Sequence, residues 1–116
     1  MNDLEKGHFA ARAARILGPG ALAREKVETV ARIDTEWANA RKQILEVVGN
    51  GTVTLDEALA QHKAAKKAYE ENTRAELGDV AYEALFKPSG NEDMLDKMRE
   101  QLIEAVAQQA ASKLAP

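Results

Sequence analysis

The chain has 116 residues, a formal net charge of −3, no cysteine and 45% apolar residues. That length predicts one domain, 1–116, and the lack of cysteine excludes disulfides, thiolate metal sites and cysteine nucleophiles. No apolar run reaches the ~18 residues that a membrane span needs, and 16 basic against 19 acidic side chains leave no nucleic-acid footprint in either half.

Twenty-two of the apolar residues are Ala and only five are Phe, Trp or Tyr. Ala buries little area, so the core is thin and its stabilisation modest. Long helices with narrow apolar stripes then find further burial against a partner, which predicts a dimer or a complex. The polar, acidic start Met1-Asn2-Asp3-Leu4-Glu5 is wrong for a signal peptide. Taken literally it places the chain in the cytoplasm. A mature exported chain with an added Met would read the same and would be periplasmic.

In chain order, Asn2 and Glu5 have the capping-box spacing, and a first helix is predicted from Asp3 to Leu17, burying Leu4, Phe9, Ala13, Ile16 and Leu17. Gly18-Pro19-Gly20 ends it and is a candidate hinge. From Ala21 to Val48 there is neither Pro nor Gly, and Ala23, Val27, Val30, Ile33, Trp37, Ala40, Ile44 and Val47 recur at steps of three or four. That spacing predicts one long amphipathic helix. Gly49 suits its C-cap, and Asn50-Gly51 continues a turn. Thr54 and Glu57 form a second capping box, opening a helix over 55–77 with Leu55, Leu59, His62, Ala65, Tyr69 and Asn72 or Thr73 on one side. So short a loop makes the two helices an antiparallel hairpin, about 40 Å and about 35 Å long, in which Trp37 falls opposite Ala65 and Ala68.

Gly78 caps the second helix, and Asp79 caps a short one over 80–86 whose Val80, Tyr82, Leu85 and Phe86 read as a plug for one end of the bundle. Lys87-Pro88-Ser89-Gly90 is a loop. Asn91 caps a last helix near 92–113, with Glu92 and Asp93 in its first turn. Its stripe reads Leu95, Met98, Leu102, Ala105 or Val106, and Gln109 or Ala110, flanked by Met94 and Ile103. The predicted fold is thus all-α: a small helical bundle built on a long hairpin.

The sharpest chemical pattern is Glu46 to Glu57. Asn50, Gly51, Val53, Thr54 and Glu57 match the fifth, sixth, eighth, ninth and twelfth positions of an EF-hand loop. Glu46 is too long for the first position, and Val48 cannot ligate from the third. A glycine turn followed by a capping box accounts for the same residues without an ion. His62 has no potential ligand at ±3 or ±4 and reads as a core-edge imidazole bonded across the hairpin to Glu36, Asn39 or Lys42. His8 reads as exposed. Lys63, Lys66 and Lys67, with Arg41 and Lys42 on the facing helix, form a small basic patch that Glu70 and Glu71 offset. Asp79, Glu83, Glu92, Asp93 and Asp96 gather near the plug. No nucleophile, base and orienting group can be assembled, which predicts a non-enzyme with no metal and no cofactor.

The layout of long helix, glycine-rich turn, T-L-D-E-A-L at 54–59, second long helix and R-A-E-L-G-D-V-A-Y-E-A-L-F at 74–86 resembles the periplasmic helical-hairpin stress proteins of the Spy/CpxP and heavy-metal-resistance type over residues 20–87. The resemblance implies an exported dimer whose concave helical surface holds unfolded chains. It transfers no residue roles. From the residues themselves the expected function is a helical protein-interaction module: an adaptor, assembly factor or small subunit that binds another protein, including a second copy of itself. Trp37, Tyr69, Met94, Met98 and Ile103 are the candidate contact residues, because aromatic and Met side chains dominate such contacts when exposed. Lys63, Lys66 and Lys67 are candidates to receive an acidic partner.

Overall fold

The structure, a computed structural model, describes residues 1–86 and 92–114. It is a small all-α bundle of α1 (Asp3–Leu17), α2 (Arg24–Gly49), α3 (Leu55–Leu77), α4 (Asp79–Phe86) and α5 (Glu92–Leu114), with no strand among the described residues. The loop expected at 87–90 and the cap expected at Asn91 lie outside those residues. None of the described helices is long and apolar enough to cross a membrane. The residues gather into two compact units, one drawn from Met1–Trp37 and Ala68–Gly90, the other from Ala38–Lys67 and Asn91–Pro116. Gly18-Pro19-Gly20 lies within the first.

In the first unit the Asn2 side chain accepts from the Glu5 amide at 2.8 Å, and Glu5 accepts from the Asn2 amide at 3.3 Å, which closes the first capping box. Phe9 and Ala13 of α1 are buried with Val27 and Val30 of α2 and Leu85 of α4. Leu4 and Ile16, expected inside, are exposed. α2 starts at Arg24, three residues later than expected. The Gly18–Gly20 turn extends into Ala21, whose amide donates to Gly18 O at 3.2 Å, and Ala23 O is the first to accept helical bonds. Trp37 is buried and stacks on Tyr69 with centroids 5.8 Å apart. Lys26 Nζ donates to Glu76 O at 2.7 Å, tying α2 to the end of α3. In α4, Tyr82 and Leu85 are buried and Phe86 packs on Phe9, but Val80 of the expected plug is exposed. Arg74 binds Asp79 at 3.0 Å and lies over the Tyr82 ring at 4.5 Å.

In the second unit Ile44 and Val48 of α2, Ala58 of α3 and Ile103 of α5 form the core, with Leu45, Val53, Leu55, Leu59, Val106 and Ala107 around them. The stripe of α2 therefore runs into Val48 instead of the expected Val47. Between α2 and α3 the left-handed residue is Gly51 (φ 78°), not Gly49. Thr52 N donates to Val47 O at 3.0 Å and Gly51 N to Val48 O at 3.3 Å, the Schellman pattern. Gly49 is instead the last residue of α2, and a Cβ there would stand 3.2 Å from Val106 Cγ1, so its role is to admit α5. The Asn50 side chain accepts from the amide and hydroxyl of Thr52. The Thr54 hydroxyl accepts from the Glu57 amide at 3.1 Å, and Glu57 accepts from the Thr54 amide at 3.2 Å. Ala at position 51 would be forced into the left-handed region at a cost of about 1 kcal/mol. Gly51→Ala is accordingly expected to lower the urea midpoint without changing the slope of the transition.

Candidate functional site

α5 is apolar on two sides, and the fold buries the less bulky one. At about 100° per residue, Asp96, Arg99, Ile103, Val106, Ala107 and Ala110 share the side that packs; Ile103 and Ala110 are buried and the others partly so. The stripe expected to be buried points outward: Leu95 is 42%, Met98 57%, Leu102 51% and the flanking Met94 63% exposed. The reason is steric and electrostatic. Ala58, fully buried on α3, and Gly49 at the end of α2 admit close approach of α5. Asp96 on the same side of α5 reaches His62. Large side chains at 95, 98 and 102 would keep the helix at a distance.

Placed by α3, the His62 ring is 2% exposed, and its Nε2 lies 2.8 Å from Asp96 Oδ1. An ionised carboxylate only accepts, so Nε2 carries the proton. The sequence-based expectation of a partner on α2 is corrected: this nitrogen is held by α5, 34 residues away. Lys66, one turn along α3, places Nζ 3.2 Å from Asp96 Oδ2. Partial burial pushes the Asp96 carboxyl upward, but the hydrogen bonds and positive charge of His62 and Lys66 outweigh it and hold its pKa below the ordinary value. Beside this cluster is a cavity of about 140 Å³ lined by Arg41, Leu45, His62, Arg99, Leu102 and Ile103.

The expected contact residues therefore separate. Met94 and Met98 lie together on the outer side of α5. Ile103 is on its packed side, and Trp37 is sealed against Tyr69, itself partly buried. Neither Trp37 nor Ile103 presents a surface to a partner. Of the basic patch, Lys63 and Lys67 are exposed while Lys66 pairs with Asp96. The acidic group near the plug also divides, with Asp79 and Glu83 beside Arg74 and Asp96 beside His62. In the α2–α3 turn, Asn50 Oδ1 and one Glu57 carboxylate oxygen, Oε1, accept from the turn's own backbone amides. Two features escaped the sequence reading. The periodicity places Leu95 and Leu102 in the core, although their steps of three and four with Met98 fit an outer seam equally well. Asp96 was grouped with its charged neighbours, although it lies one turn before Glu100 on α5.

No family model matches this chain, nor does any curated protein or solved structure.

Proposed function

We propose that this chain is a non-enzymatic helical interaction module that pairs with a second copy of itself through the outer side of α5. The observation that carries this reading is the exposed series Leu95, Met98, Leu102, Ala105. Its steps of three, four and three are the spacing of a coiled-coil seam, and Gln109 and Ser112 continue it. Flanking positions are permissive, with Met94, Gln101 and Gln108 on one side and Arg99 and Val106 on the other. In a parallel pairing Arg99 meets Met94 of the other copy, so no like charges oppose across the seam. With Ala, Gln and Ser in the C-terminal half, the pairing is reversible and depends on concentration.

Sedimentation velocity across a concentration series is the test. Wild-type protein is expected to pass from monomer to dimer in the micromolar range, and Met98→Glu to stay monomeric while melting like wild type, because residue 98 is exposed in the single chain. A wild-type monomer at every concentration, or a dimer indifferent to Met98→Glu, overturns the proposal.

A further inference from the structure

We propose that His62, Asp96 and Glu100 form a binding site for a divalent transition-metal ion of the zinc type, with Lys66 competing for it. Each of the three residues offers a ligand atom, and these atoms all lie within 4.8 Å of one another. Around a zinc ion, ligands at roughly 2.1 Å stand about 3.4 Å apart, so His62 and Asp96, now 2.8 Å apart, part slightly as the three side chains turn toward the ion. Asp96 and Glu100 are spaced i and i+4 on α5, which puts both carboxylates on the same side of the helix. His62 comes from α3, so an ion would tie two helices together. Its ring is buried and held through Nε2 at 2.8 Å from Asp96, so it has little orientational freedom to lose on binding.

The donor set selects the ion. Two carboxylates alone would suit Mg²⁺ or Ca²⁺, but an imidazole nitrogen favours Zn²⁺ and its neighbours among the transition metals. Three protein ligands leave a fourth position of a tetrahedral ion for water. Ligation through His62 Nε2 requires the tautomer with the ring proton on Nδ1, and the Lys66 ammonium, 3.2 Å from Asp96 Oδ2, must withdraw. Lys66 is only partly buried, and its flexible stem can carry the charge out to solvent. The site uses the inner side of α5 and does not depend on the outer seam.

Untagged full-length protein, treated with chelator and dialysed, is titrated with Zn²⁺ by calorimetry and melted with and without the ion. One Zn²⁺ per chain is expected, with the melting temperature raised by about 10 °C at a hundredfold excess over Kd and no shift with Mg²⁺ at the same concentration. Glu100→Gln weakens binding at least tenfold, and Lys66→Gln, which removes the competing charge without touching a ligand, tightens it about tenfold. The Lys66 variant keeps the test decisive should Glu100→Gln alter the fold. Absence of saturable binding overturns the proposal, as does binding that neither substitution changes, which would place the ion elsewhere, for example at His8.

Discussion

Leu85→Ala is expected to destabilise the protein by about 3 kcal/mol, a large share of what so alanine-rich a core supplies. Leu85 is 2% exposed and is the residue through which the eight-residue α4 enters the cluster of Phe9, Ala13, Val27 and Val30. Truncation removes three carbons from that cluster. The aromatic stack of Tyr82 on Phe86, with centroids 5.4 Å apart, restricts how far α4 can settle into the space. The Leu85 carbonyl also accepts from Arg12 Nη2 of α1, so any shift of α4 disturbs a polar contact as well. Thermal unfolding followed by circular dichroism should show a fall of roughly 12 °C. Val80→Ala on the same helix, at a residue 83% exposed, should change stability by less than about 0.5 kcal/mol. Equal effects from the two substitutions would mean that α4 is not seated as described.

Asp96→Ala is expected to cost about 2 kcal/mol near neutral pH. It removes the acceptor of a charge-assisted hydrogen bond to a buried ring and the counter-ion of Lys66 together. The effect has a definite pH dependence. The folded-state pKa of Asp96 is depressed, so at low pH the unfolded chain takes up this proton first, at about pH 3.9. The stabilisation is therefore complete above the ordinary carboxylate range and is lost as pH falls through the lower folded value. Urea midpoints for wild type and Asp96→Ala should differ at neutral pH and converge below about pH 4. A difference that persists undiminished at low pH would assign the loss to packing alone.

The boundaries at Asn2 with Glu5, at Thr54 with Glu57, and at Gly18 and Gly78 are legible because their determinants act within a few residues of themselves. The stripe of α2 was legible for a different reason: Val27, Val30, Ile33, Trp37 and Ile44 offer a single apolar side, so there was no choice to make, and all five are buried. α5 offered two sides, and bulk pointed to the wrong one. What decides between them lies on other helices: the small residues Ala58 and Gly49, and the His62 ring that calls for an acceptor at 96. None of these is near α5 in sequence. The His62 cluster is distant in the same way: Asp96 and Glu100 lie 34 and 38 residues from His62, far beyond its ±3 and ±4 neighbours. The sequence points to Gly49 as the cap because the Val106 contact that marks its place exists only in the folded chain.

With the pairing proposed above, the two apolar sides of α5 leave it one face without a task, carrying Asp93, Lys97, Glu104 and Ala111. A single inserted residue, which turns everything beyond it by about 100°, would carry the inner set toward solvent and the outer set out of register in one step. An insertion between Leu95 and Ala110 thus disturbs both sides of α5 at once.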